Sequence, residues 1–224
     1  MFPGHYADIT PDKPAAISAS SGETVTYAQL NDRSNQLAQL FWSRGIRPGD
    51  HVAIFLENHL SYFDVAWAAL RSGLFMTTVN RYLTAAEAAY IVDDSGANVL
   101  VSSRALEDVA QQIPTLAPNC KNSLMVGGPS DSASVFEDYD SAVAPYPTTA
   151  LAEEPLGEFM LYSSGTTGKP KGIVKPLQDR PASEGVRLAE TVNAVFGIDE
   201  HSTYLSTAPM YHAAPIAFTT ATQS

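Results

Sequence analysis

The chain has 224 residues, 24 acidic against 13 basic side chains for a net charge of −11, and 45% hydrophobic residues. That length and apolar share suffice for a sizeable core in one to two domains, while the acidic balance excludes the basic patch that nucleic-acid binding needs. A single cysteine, Cys120, excludes an internal disulfide framework and reads as a small buried apolar residue. No apolar run is long enough to span a membrane, and the first six residues, M-F-P-G-H-Y, lack the regions of a signal peptide. A cytoplasmic protein is expected.

Along the chain, helix and strand signals alternate. Thr26-x-x-Gln29 is a capping box; Leu30, Leu37, Leu40 and Phe41 follow at helical spacing, and Gly45 stops the helix. Residues 51–56, H-V-A-I-F-L, form an apolar run of strand length, and Ser61 opens a second helix that ends near Gly73. Residues 74–79 read as another strand. Thr84-x-x-Glu87 is a second capping box, and Gly96 closes its helix. Residues 99–101 and 124–126 are strands that bracket a helix over 105–112. This alternation predicts an α/β fold with helices packed on mostly parallel β-sheets.

Between Ser130 and Pro155 the composition turns acidic and rich in Ser, Ala and Pro, which reads as an exposed connection with one short helix over 136–142. A strand over 159–163 and a hairpin-like return at Ile173 and Val174 enclose a polar loop. A helix over 183–196 and a strand over 203–206 then deliver Met210, Tyr211 and His212, and an apolar helix-like stretch follows. The expected organisation is a first α/β unit with its acidic connection over 1–150 and the start of a second over 151–224. The adjacent carboxylates Asp93-Asp94 and Glu153-Glu154 sit beside helix-end and linker signals and read as solvated. His5, His51, His59 and His201 have no motif around them.

The loop is the most chemically informative segment. Residues 162–172 read Y-S-S-G-T-T-G-K-P-K-G: three glycines, the hydroxyls of Ser163, Ser164, Thr166 and Thr167, and two lysines, Lys169 and Lys171. Gly165, Gly168 and Gly172 allow positive φ and close approach of backbone N–H groups to a ligand, and successive N–H groups make an anion-binding concavity. On this reading a β-branched residue at Gly168 closes the concavity. A polyphosphate fits such a set of donors and cations. The Walker A form fails, because Ser163 stands where its first glycine belongs and Pro170 follows Lys169 in place of a hydroxyl.

At these residues the chain resembles the adenylate-forming superfamily of acyl-CoA synthetases, luciferases and peptide-synthetase adenylation domains, whose signature loop has the form [YF]-[ST]-S/T-G-T/S-T-G-x-P-K-G. Three further segments are similar. Residues 26–30, T-Y-A-Q-L, resemble the opening of the family's first helix. Residues 73–87 resemble its G-A-x-x-x-P-v-N-x-r-l-t-x-x-E stretch, with Thr78 in place of the proline. Residues 208–212, A-P-M-Y-H, resemble its P-[ML]-[FY]-H segment.

The resemblance implies the N-terminal part of the large domain of an adenylate-forming enzyme. Such an enzyme joins a carboxylic acid to ATP, giving acyl-AMP and pyrophosphate, and passes the acyl group to coenzyme A. It further implies that Ser163, Ser164, Gly165, Thr166, Thr167, Gly168, Lys169, Lys171 and Gly172 bind the ATP phosphates. Thr166 would contact Mg²⁺, Lys171 would act in catalysis, and His212 would lie beside the acyl-adenylate. The family's Y-G-x-T-E segment, whose glutamate holds Mg²⁺, does not occur in these 224 residues. The chain is therefore expected to be one portion of a longer enzyme and inactive alone. A peptide-synthetase-type domain, an acyl-AMP ligase and a non-catalytic phosphate-binding remnant stay open, as does homo-oligomer formation.

Overall fold

The computed structural model describes residues 2–163 and 168–224. It opens with a short helix, α1 (Pro3–Ile9), and an antiparallel pair, β1 (Pro14–Ile17) and β2 (Thr24–Thr26). All three are too short to show a hydrophobic period, which is why the sequence does not announce them. Thr26 then caps α2 (Tyr27–Ser43) as its spacing predicts. The Gln29 N–H donates to Thr26 Oγ1 at 3.3 Å, and the Thr26 N–H donates to Gln29 Oε1 at 2.9 Å.

The expected alternation follows: β3 (His51–Phe55), α3 (Ser61–Arg71), β4 (Phe75–Thr78), α4 (Ala85–Asp94) and β5 (Ala97–Ser103). The helix expected over 105–112 is instead a 3₁₀ turn and two single helical turns, α5 (Glu107–Ala110) and α6 (Ile113–Leu116). Pro114 sits in the first turn of α6 and cannot donate to a continuing ladder, so α5 stops before it. Next come β6 (Asn122–Val126), β7 (Glu137–Asp138), α7 (Tyr139–Val143) and β8 (Glu158–Phe159).

Six strands form one sheet in the order β7-β6-β5-β3-β4-β8, with every neighbouring pair parallel. Alternate residues of β3 serve its two faces. Val52 and Ile54 pack with Leu37, Leu40 and Phe41 of α2, Val65 of α3 and Tyr139 of α7. Ala53 and Phe55 pack with Ala88, Ile91 and Val92 of α4 and with Ile113 of α6. Cover on both faces is why the strands read as continuous apolar runs rather than alternating ones.

The connection after α7 is strapped to α2. Asn35 Nδ2 donates to the Thr148 carbonyl at 2.7 Å, Gln36 Nε2 to Tyr146 at 2.9 Å, and Gln39 Nε2 to Thr149 at 2.9 Å. Glu154 is not solvated as its neighbours suggest: it accepts from the buried Arg71 Nε at 2.6 Å.

The strand expected over 159–163 divides at Met160. Phe159 pairs with Met76 in the main sheet, whereas β9 (Leu161–Ser163) pairs antiparallel with β10 (Lys171–Ile173). The next long helix, α8 (Arg187–Phe196), begins after Gly185, whose φ of +74 breaks the chain direction inside the range expected to be helical. The strand expected over 203–206 is not formed: no described strand pairs with it, and Leu205 is 67% exposed. A β-run without a partner leaves its backbone groups to water, whatever its composition.

The last helix, α9 (Ala213–Thr222), packs with α8 on the outer face of α3. Trp67 Nε1 donates to Gln223 Oε1 at 2.9 Å in the interior of that contact. Cys120 is buried, and burial pushes its thiol up to about 11. Among the described residues no helix is long and apolar enough to cross a membrane.

Candidate functional site

The β9–β10 hairpin sets the geometry of the loop. Its closing pair is Ser163 with Lys171, followed by Tyr162 with Gly172 and Leu161 with Ile173. Ser163 and Lys171 are exposed at the base of the loop, and Gly168 and Lys169 are exposed within it. Ser164, Gly165, Thr166 and Thr167 lie outside the described residues, so the Mg²⁺ role expected of Thr166 has no geometry here. Lys171 takes part in no ion pair among the described residues, which leaves its charge available to an anion.

The two described loop glycines differ in a way the sequence does not foretell. A Cβ at Gly168 would meet no described atom within 4 Å. The demanding position is Gly172. A Cβ there would fall inside contact distance of the Met160 methyl and 3.0 Å from the Tyr162 ring, tighter than a packed interior tolerates.

The hairpin rests on α4. Tyr162 Oη donates to Asp94 Oδ2 at 2.7 Å. Burial first and the Asp94 carboxylate second push the Tyr162 phenol above its usual range, so it stays a donor. The Lys169 ammonium stands 4.5 Å above the Tyr90 ring. Asp94 is exposed at the end of α4 as expected, and it also accepts a hydrogen bond from Tyr162 of the hairpin. Asp93 Oδ1 accepts from Asn119 Nδ2 at 3.1 Å.

Residues 208–212 are held from the main sheet. Asn58, just beyond β3, accepts from the Met210 N–H at 2.9 Å, and Thr78 Oγ1 donates to the Tyr211 carbonyl at 2.7 Å. Thr78 stands where the resembling pattern has proline, so the departure supplies a hydroxyl that the segment uses. Met210 is buried in the core as an anchor. His212 is exposed at the N-terminal boundary of α9, its ring centroid 4.3 Å from that of Tyr211. It is not a core histidine.

A cavity of about 890 Å³ joins these parts. Tyr162, Ser163 and Ile173 of the hairpin, Val186 and Leu188 at the start of α8, and Ala213, Ala214 and Ala217 of α9 line it. The lining is mainly apolar, with Lys175 and Arg187 as its cations. Ser163 and the helix that His212 opens thus border one space, though His212 itself does not line it. Among the described residues no group of three His, Cys, Asp or Glu side chains could hold a metal.

The AMP-binding enzyme family matches residues 5–222. The chain belongs to this family. Among curated relatives, the fatty acid–[acyl-carrier-protein] ligase ScoC of Streptomyces coeruleorubidus is 32% identical over 187 residues, covering 81% of this chain and 34% of that protein. The long-chain-fatty-acid–CoA ligase FadD13 of Mycobacterium tuberculosis H37Rv is 27% identical over 219 residues, covering 94% of this chain and 40% of that protein. This member of the AMP-binding family thus spans well under half the length of the curated relatives it matches. Its fold is that of the long-chain-fatty-acid-CoA ligase FadD1 from Archaeoglobus fulgidus, with a TM-score of 0.79 at 20% identity over 97% of this chain and 43% of that one.

Proposed function

We propose that these residues form the phosphate-binding portion of an AMP-forming acid–CoA ligase. Such an enzyme attaches a carboxylic acid to the α-phosphate of ATP, releases pyrophosphate, and transfers the acyl group to coenzyme A. The observation that carries the reading is the signature hairpin with Lys171 exposed at its mouth and in no ion pair among the described residues, in a chain of this family.

The chemistry follows from charge. A carboxylate attacking a polyphosphate needs the negative charge of the β- and γ-phosphates neutralised, and preorganised donors do this without reorganising at the moment of reaction. Lys171 and Lys169 supply cations, and Ser163, Ser164, Thr166 and Thr167 supply hydroxyls. Mg²⁺ arrives with ATP as its counter-ion, and Thr166 is the hydroxyl we assign to it. The apolar cavity beside Ser163 supports a substrate with an apolar tail. His212, exposed at the start of α9, is assigned to the acid or its adenylate. The division into units 1–150 and 151–224 belongs to the same proposal. We further propose that the 224 residues alone do not exchange pyrophosphate into ATP.

A carrier protein as acyl acceptor is the second reading, favoured by the ScoC relative, whose name specifies that acceptor. Assaying thioester formation with coenzyme A and with acyl-carrier protein separates the two.

The test of the nucleotide reading is Lys171→Ala in the full-length protein. Loss of one charge-assisted donor to phosphate removes about 1.5–3 kcal/mol, so kcat/KM for ATP in adenylation should fall roughly ten- to a hundredfold. Turnover of chemically supplied acyl-AMP with coenzyme A should change little, since that step carries no β- or γ-phosphate. Equal losses in both half-reactions would sink the reading. In the same assays His212→Ala should lower kcat/KM for the acid without lowering Tm.

A further inference from the structure

Two side chains outside the loop reach both of its arms. Tyr90 and Asp94 lie four residues apart on α4 and so share one face of its last turns. On the incoming arm, Tyr162 Oη donates to Asp94 Oδ2 at 2.7 Å, a charge-assisted bond of the stronger class. On the outgoing arm, Tyr90 Oη lies 3.2 Å from the Pro170 carbonyl oxygen and 3.4 Å from Asp94 Oδ1. A phenol has one proton to give, so Tyr90 serves these two acceptors one at a time. The ring of the same Tyr90 carries the Lys169 ammonium at a cation–π distance.

The surroundings favour this arrangement. Gly172 has no side chain to crowd Tyr162; a Cβ there would stand 3.1 Å from the phenol oxygen. The helix that receives the bonds is itself fixed, with the Thr84–Glu87 capping box at one end and Ala88, Ile91 and Val92 buried against the sheet. Packing alone would be served by phenylalanine at position 162, which the signature pattern allows. The hydroxyl adds a directional bond that phenylalanine lacks.

We propose that Tyr90 and Asp94 are positioning residues for the phosphate loop, pinning its two arms to α4 so that its donors meet a polyphosphate in a preset place. The inference rests on the nucleotide reading above. The latch fixes the two arms at Tyr162 and Pro170 before ATP arrives, so its loss appears as weaker ATP binding, with the chemical step unchanged once ATP is bound.

The experiment uses the full-length protein and follows acid-dependent ATP–pyrophosphate exchange alongside thioester formation from supplied acyl-AMP. Asp94→Ala and Tyr162→Phe should each raise KM for ATP by a factor of about three to ten, the loss of a partly solvated hydrogen bond to a charged group. Their kcat, Tm and thioester step should stay near those of the parent. The double variant should be no worse than the poorer single one, because both remove the same bond. Tyr90→Phe, which keeps the ring beneath Lys169, should be milder than Tyr90→Leu, which loses both contacts.

Unchanged KM for ATP in Asp94→Ala and Tyr162→Phe, with Lys171→Ala still deficient in adenylation, overturns the latch and leaves the nucleotide reading standing. Equal losses in both half-reactions with a lowered Tm assign these side chains to packing and overturn it as well. Full adenylation by Lys171→Ala removes the nucleotide reading, and the latch falls with it.

Discussion

Gly172 concentrates the steric demands of the hairpin in one atom that is not there. The missing Cβ leaves room for the Met160 methyl and the Tyr162 phenol. Gly172→Ala should therefore make the Met160 methyl swing aside and the Tyr162 ring give slightly, at a cost of about 1 kcal/mol, the low end for overpacking. Gly168→Ala should cost less, since no described atom lies within 4 Å of a Cβ there. Denaturant unfolding of the two variants decides the matter: equal stabilities would mean that the hairpin accommodates the methyl at Gly172. Both residues belong to the same motif and look alike as letters. Only the neighbours that folding brings to them tell them apart.

Among elements, the junction of α2, α3 and α7 holds a costly buried carboxyl. Asp64 on α3 is 1% exposed, and neither of its carboxylate oxygens has a hydrogen-bond partner among the described residues. Arg33 of α2 approaches to 3.8 Å and lowers its pKa, and Asp140 of α7 raises it. Desolvation outweighs the arginine and moves the carboxyl up to about 7 from 3.8. The fold thus keeps the proton where the unfolded chain has lost it. Relative to that chain the group does not destabilise the fold below about pH 4, and its penalty grows as pH rises toward 7. The full swing is on the order of 4 kcal/mol at most. Asp64→Asn should flatten that part of the stability profile between about pH 4 and 7. An identical slope in the variant would place the proton elsewhere. The α4 capping box shows the opposite case, a carboxylate at ease: the Thr84 hydroxyl and N–H hold Glu87 below its usual range.

Across the whole molecule, one buried guanidinium ties three parts together. Arg71 of α3 donates to Glu154 at 2.6 Å, to Ser34 Oγ at 2.8 Å and to the side chain of Asn31 at 3.1 Å. It thereby joins α2, α3 and the connection that leads into β8. Removing one partner of a buried ion pair strands the other, typically at about 3–5 kcal/mol. Arg71→Ala should lose about that much in equilibrium unfolding. Glu154→Gln keeps an acceptor for the guanidinium and should lose less; the reverse order would mean that the pair does not carry the junction.

The helix starts at Thr26 and Thr84, the apolar strand runs and the loop at 162–172 could all be read from the letters, because each depends on residues a few positions apart. A cap, a strand run and a phosphate loop carry their own chemistry wherever the chain puts them. Legibility failed where the partner is remote. Glu154 read as solvated, and the partner of exposed Asp94 went unseen, because a carboxylate at a helix end or in a linker looks the same whether water or a side chain faces it. Tyr162 lies 68 positions from Asp94, and Arg71 lies 83 from Glu154. The run at 203–206 had strand composition yet found no described partner. Long-range pairing is set by packing the helices onto the two faces of the parallel sheet, and no local pattern encodes which distant side chain that packing will deliver.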